Sequence, residues 1–138
     1  MRSRFVLGLV LGAAALCAGS GVRAHHSFPV HFVPGELVTV SGVVTQFRFR
    51  NPHGLLSFTV KNEAGEEVQW RAETNAPAIL RRRGWTEMSI EPGDEVTVEG
   101  YPARDGSNFM RVYKVTFADG RELVGQRPDP AAAAGAED

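Results

Sequence analysis

The sequence predicts an all-β protein: a small five-stranded OB-like β-barrel with one short helix between strands three and four. Three observations carry that reading. Apolar and polar residues alternate in short runs from Glu36 to Val124, the period of half-buried strands. The period turns helical at one place, between Asn75 and Arg83. The resulting order is three meandering strands, a helix and two further strands, which is the order of the OB barrel. The competing architecture is another small antiparallel barrel or a sandwich.

Each element has a local reason. Glu36 to Arg50 alternates with a change of phase: Val38 and Val40 share one face, and after Gly42 the apolar positions become Val43, Phe47 and Phe49. A phase switch at a glycine predicts a β-bulge in a long, curled first strand. Asn51-Pro52-His53-Gly54 is a turn, and Leu56, Phe58 and Val60 alternate along strand two. After a glycine-containing turn at Asn62 to Gly65, Val68, Trp70 and Ala72 mark strand three. Asn75 is placed as a helix N-cap and Pro77 in the first turn. Arg81, Arg82 and Arg83 occupy the last turn, where cations favour the carbonyl end of the dipole. Gly84 stops the helix, with Trp85 set to fold back over the cap. Pro92-Gly93-Asp94 turns into a fourth strand with Val96 and Val98 inward. After Asp105-Gly106, Phe109 to Phe117 forms the fifth strand with Tyr113, Val115 and Phe117 on one face. Glu122 to Val124 adds a short strand.

The ends read differently. Residues 1–24 have a positive start, an uncharged apolar run from Phe5 to Ala18, and Val22-Arg23-Ala24 before a cleavage point, the build of a secretory signal peptide. That run of 14 residues is short for a bilayer core of ~30 Å. Residues 25–35, with Pro29 and Pro34, read as an extended N-terminal arm. The barrel domain takes 36–125. Residues 126–138 are proline, alanine and acid, a disordered tail with nothing to bury.

Removing the signal takes three arginines and no acid, leaving 12 cationic against 16 acidic side chains, a net charge of −4. An acidic balance argues against general nucleic-acid binding, which needs cations to neutralise phosphates. The single cysteine, Cys17, leaves with the signal, so disulfides and thiolate chemistry go with it. No second apolar stretch reaches spanning length. The expectation is a periplasmic protein, secreted through a cleaved signal, without an integral membrane segment.

The histidines cluster: His25, His26, His31 and His53 are the chain's four. Cleavage after Ala24 makes His25 the N-terminal residue. Its α-amine, with a reference pKa of ~7.7–8.0, and its ring, at ~6.5, can both lose protons to a metal near neutral pH. Amine and ring nitrogen then chelate one ion, and a third nitrogen from His53, with His26 as a substitute, completes a planar set. Tetragonal nitrogen ligation suits Cu(II), so the cofactor reading is copper, in an arrangement that resembles the histidine brace of exported copper proteins. A competing mode uses the amine, the His26 amide and the His26 ring with no folded partner. His31, between Val30 and Phe32, reads as a surface or packing residue, and His53 can equally serve as a backbone-bonding turn residue. Glu73, at the end of strand three, is placed to face His53 and orient it, ligate, or exchange protons with it.

A second constellation, Glu73, Arg82 and Trp85, forms a candidate barrel rim for an anionic small molecule, glycan or envelope protein. Ser27 and Ser57 lack the glycine context of a serine hydrolase. A binding protein is favoured over an enzyme. A purely structural envelope module is the third reading.

His25-His26-Ser27-Phe28, Asn51-Pro52-His53, Arg82-Arg83-Gly84-Trp85, Pro92 to Tyr101 and Asp105-Gly106-Ser107-Asn108 occur together in this chain. In that combination, from His25 to Leu123, the chain resembles a family of small exported bacterial proteins of unknown function. The resemblance implies a compact, mainly periplasmic β protein and no particular reaction. Gly54-Leu55 departs from the aromatic that family members often carry after the Asn-Pro-His stretch.

Overall fold

The computed structural model describes residues 28–126. The predicted signal peptide, His25, His26 and all of the predicted tail except Gln126 lie outside the described residues. The elements are α1 (Phe28–His31), β1 (Val38–Arg48), β2 (Leu55–Lys61), β3 (Glu67–Glu73), α2 (Pro77–Arg81), β4 (Glu95–Pro102), β5 (Phe109–Phe117) and β6 (Glu122–Val124). The sheet runs β3-β2-β1-β4-β5-β6, and a parallel β3–β5 pairing closes the first five strands into a barrel. This is the architecture the strand–helix order predicts. Among the described residues no helix is long and apolar enough to cross a membrane.

β1 serves two neighbours, pairing with β4 through Val38–Val43 and with β2 through Val43–Arg48. The bulge that lets it curl is at Thr45, not Gly42: Val44 pairs with Phe58 while Gln46 pairs with Ser57. Val44 therefore faces the core and Val43 faces out. Adjacent valines give no cue as to which turns inward, and closure of the barrel decides it. Gly42 has another role, because a Cβ there would run into the Thr59 carbonyl oxygen where the β1 and β2 backbones meet. A second irregularity displaces Tyr113: Glu99 pairs with Lys114 and Gly100 with Val112. Met110 and Val112 point inward before it, Val115 and Phe117 after it, so Tyr113 does not share their face.

The core joins Val44, Leu56, Phe58, Val98, Met110, Val112 and Val115 with Leu80, Trp85 and Ile90 from the β3–β4 connection. Burying each large side chain contributes about 1.5–3 kcal/mol. The short helix begins with Ala76 as its N-cap and no side-chain capping bond. Asn75 is not the cap; its amide bonds to partners across the barrel instead. The C-terminus closes as expected. Gly84 takes φ +85°, its N–H donates to the Arg81 carbonyl at 3.1 Å, and the Trp85 N–H donates to the Leu80 carbonyl at 3.1 Å. These paired bonds form a Schellman closure that turns Trp85 under the helix.

The arm is not wholly extended. Phe28–His31 makes one helical turn, and Phe32 is buried, bridging to Ala103. Phe28 packs edge-on against Tyr101 at 5.0 Å between ring centroids, and Phe32 lies 5.5 Å from Phe109. Gln126 donates its N–H to the Tyr113 carbonyl at 3.2 Å, so the first residue assigned to the tail is tied to the barrel.

Candidate functional site

The β1–β2 turn is strapped to the chain leaving β3. Thr74 N–H donates to the Gly54 carbonyl at 2.9 Å, and Gly54 N–H donates to the Asn75 carbonyl at 3.3 Å. The Asn51–Pro52 peptide within the turn is cis. These two backbone bonds bring His53 alongside the last residue of β3, and His53 Nδ1 lies 2.8 Å from Glu73 Oε1. Glu73 sits on the outer face, across the parallel β3–β5 pairing from Arg111.

Arg111 organises the surroundings. Its Nη1 donates to Glu73 Oε1, and its Nη2 donates to Asn75 Oδ1 at 2.6 Å. The Arg111 side chain is only 11% exposed, and its Nε is buried without a hydrogen-bond partner. Burial draws the guanidinium pKa below its ordinary value, and the Glu73 charge pushes it back up. The guanidinium stays protonated, because an arginine starts so high. Asn75 extends the network by donating to the Gly125 carbonyl at 2.6 Å; Arg83 Nη1 donates to the same oxygen. Trp85 Nε1 donates to the Val124 carbonyl at 3.0 Å. The turn, β3, β5, the helix C-terminus and the segment after β6 thus meet in one polar cluster.

This arrangement has a definite chemical capacity. A carboxylate on Nδ1 orients the ring and leaves Nε2 as the outward nitrogen, able to take a proton or a metal. The His53 side chain is 38% exposed. Among the described residues no group of three or more His, Cys, Asp or Glu side chains is placed to hold a metal. His53 and Glu73 come together; His25 and His26 lie outside the described residues.

The rim constellation is not assembled. Arg82 is exposed at the end of the helix. Trp85 is 1% exposed and belongs to the core, so it offers no ring face to a ligand. The Schellman closure accounts for this: it carries the indole inward while leaving the preceding arginine outside. His31 is exposed, and its carbonyl accepts from the Arg104 N–H. Sequence reasoning does not single out Arg111 or Asn75 as site residues. The outward position of Arg111 in the β5 alternation was a usable signal, but its partner depends on the β3–β5 pairing.

Fold and cluster together define the class: a small closed OB-type barrel carrying a polar cluster on its outer face. The chain belongs to a family of unknown function, DUF6152, whose model matches residues 14–110. No curated protein matches the chain. Among solved structures it is similar to the mitochondrial single-stranded DNA binding protein Rim1 of S. cerevisiae, at 16% identity and a TM-score of 0.45, covering 60% of this chain and 94% of that one.

Proposed function

We propose that this is an exported, periplasmic copper-binding protein that carries, buffers or senses the metal through its mature N-terminus. His25 supplies the amine and a ring nitrogen, His53 Nε2 supplies the third nitrogen, and His26 is the substitute. The observation that carries this reading is the Glu73 contact on His53 Nδ1. It is the outer-shell arrangement that metal-ligating histidines use to fix tautomer and orientation. Arg111 in turn holds the carboxylate. Amine and imidazole nitrogens suit tetragonal Cu(II).

The first described residue lies on the same outer face as the cluster. Phe28 packs on Tyr101, Tyr101 pairs across β4–β5 with Arg111, and Arg111 pairs with Glu73. Two strand spacings of about 4.8 Å separate Tyr101 from Glu73.

The test is Cu(II) titration of protein verified to begin at His25, followed by electron paramagnetic resonance. Comparators are His53→Ala and a form with one residue added before His25. A tight, nitrogen-rich site that weakens in both comparators is the expected result. Copper binding indifferent to His53 reduces the site to ordinary peptide-terminus chelation and overturns the proposal.

A metal-free binding module is the second reading, and one observation favours it. A hollow of about 810 Å³ on the barrel's outer face is lined by residues including Ser41, Val43, Thr59, Lys61, Glu95 and Thr97. A partner would sit there, away from Arg82 and Trp85. Loss of an envelope partner on Val43→Arg, with copper binding absent, would favour this reading.

A further inference from the structure

Arginines gather at the helix-capped end of the barrel, in a chain whose overall balance is acidic. Arg81, Arg82 and Arg83 stand at the end of α2, and Arg48 and Arg50 flank Phe49 at the end of β1. The two groups meet: the Arg81 guanidinium lies over the Phe49 ring, 5.1 Å from its centroid. Pro77 and Leu80 are the buried side of α2, so Ala78, Ile79, Arg81 and Arg82 face out. Arg83 turns back and donates to the Gly125 carbonyl. Little answers the outward charge. Arg81 meets Glu87 at 3.5 Å, with both side chains more than half exposed, and such a pair contributes little. Among the described residues Arg48, Arg50 and Arg82 form no ion pair.

Apolar side chains stand beside these cations. Ile79 is 41% exposed and Met88 is 73% exposed. A tight turn presents Met88: the Thr86 N–H donates to Ser89 Oγ at 2.7 Å, and the Ser89 N–H donates to the Thr86 carbonyl at 3.2 Å. Arg81, Gly84 and Met88 line one hollow of about 430 Å³, so the helix end and this turn share a surface. The two apolar side chains gain by leaving water, and the arginine forks match phosphate. A face offering both suits the headgroup boundary of an anionic membrane. A nucleic-acid strand carries phosphates too, but it binds by stacking its bases on open rings. Here Trp85 is buried and Arg81 lies over Phe49.

We propose that this end of the barrel docks on a membrane surface rich in anionic phospholipid. Arg50, Arg81 and Arg82 contact the phosphates, and Ile79 and Met88 enter the boundary between headgroups and acyl chains. The acidic β2–β3 turn, with Glu63, Glu66 and Glu67, is kept from that surface. It lies at the opposite end of β2 from Arg48, because Leu55 pairs with Arg48 and Lys61 with Glu67. A strand of that length spans about 20 Å, well beyond the screening length of about 8 Å at physiological salt.

The experiment uses the chain from His25 onward, which holds every strand of the closed barrel and omits the apolar run Phe5 to Ala18, a segment that would bind lipid by itself. Binding is measured by sedimentation with vesicles of phosphatidylcholine containing phosphatidylglycerol, with vesicles of phosphatidylcholine alone, and by fluorescence anisotropy with a single-stranded oligonucleotide. The variants are Arg82→Gln, Arg50→Gln/Arg82→Gln, Ile79→Ser/Met88→Ser and Lys61→Gln, all at exposed positions, and their urea midpoints are expected to stay with that of the natural chain. Binding is expected only to the phosphatidylglycerol vesicles, falling as salt rises. Arg82→Gln is expected to weaken it about fivefold and the double arginine variant about twentyfold. Lys61→Gln, which removes the same charge elsewhere, is expected to leave it unchanged, and Ile79→Ser/Met88→Ser to weaken it severalfold. Equal losses in Arg82→Gln and Lys61→Gln mean that net charge alone is read and overturn the proposal. No binding to the phosphatidylglycerol vesicles overturns it too, and an oligonucleotide held through the same arginines then makes the face a nucleic-acid site. Vesicle binding indifferent to Ile79→Ser/Met88→Ser overturns the seating of the apolar pair.

Discussion

The two faces of β5 are both withdrawn from water, by opposite means. Met110 and Val112 point into the barrel and are buried by apolar contact with Leu56, Ala72 and Val98 in the same core. Arg111, between them, points outward and is nearly as buried, under Glu73, Asn75 and the segment after β6. The inner face gains from leaving water. The outer face gains little from it, because desolvating a guanidinium and a carboxylate cancels much of their attraction. The inner face therefore accounts for stability, and the outer face for holding particular groups in particular places.

The largest expected effect is on the inner face. Met110→Ala should cost about 2–5 kcal/mol in urea denaturation, from lost transfer energy and the cavity left behind. It should leave Cu(II) binding unchanged. On the outer face, Arg111→Met leaves Glu73 with His53 as its remaining partner and should cost about 2–4 kcal/mol by the same measurement. The sharper comparison is the double variant Arg111→Met/Glu73→Gln. It should recover part of that loss, whereas no polar substitution rescues Met110→Ala. If the double variant is as unstable as the sum of its parts, the outer face is contributing stability as the core does.

A third change examines where β1 and β2 touch. Gly42→Ala presses a methyl group against the Thr59 carbonyl and should cost about 1–3 kcal/mol. An unchanged urea midpoint would mean that the β1 curl is adjustable.

The smallest effect is electrostatic and exposed. Lys114 lies 2.8 Å from Glu122 and 3.1 Å from Glu99. The Lys114 hydrogen bond, then its charge, holds the Glu122 carboxyl below its ordinary range; the Glu122 and Glu99 hydrogen bonds raise the Lys114 ammonium above its own. Glu122 therefore contributes stability above the usual carboxylate range, and loses it as pH falls through its lowered pKa. Lys114 contributes fully below the usual lysine value, and loses it as pH rises through its raised pKa. The difference in melting temperature between the natural protein and Lys114→Met should be small near neutrality. It should shrink toward both extremes. A difference that persists in strong acid would trace to packing of the lysine stem.

The same contrast explains what could be read in advance. The strands were legible because period-two alternation needs only local order, as at Leu56, Phe58 and Val60. The helix stop was legible because Gly84 and Trp85 are a local signal. Asn75 misled: its type suits a cap, but two partners distant in sequence claim its amide. Glycine permits bending and so points to a bulge at Gly42, yet Thr45 is the extra residue. Of the site, His53 and Glu73 could be picked out as residues, since each ends a segment at the same side of the barrel. Arg111 could not, because its partner lies across a parallel pairing between strands separated by the helix and β4.

By itself, the sequence determined the all-β class, the strand order, the helix between β3 and β4, and the buried alternation, because these follow from side-chain period and turn chemistry along the chain. The tertiary structure alone decided which valine of β1 faces inward, that Trp85 is core, and that Arg111 sits between Glu73 and Asn75. Those outcomes depend on barrel closure, which brings residues far apart in sequence within hydrogen-bond distance.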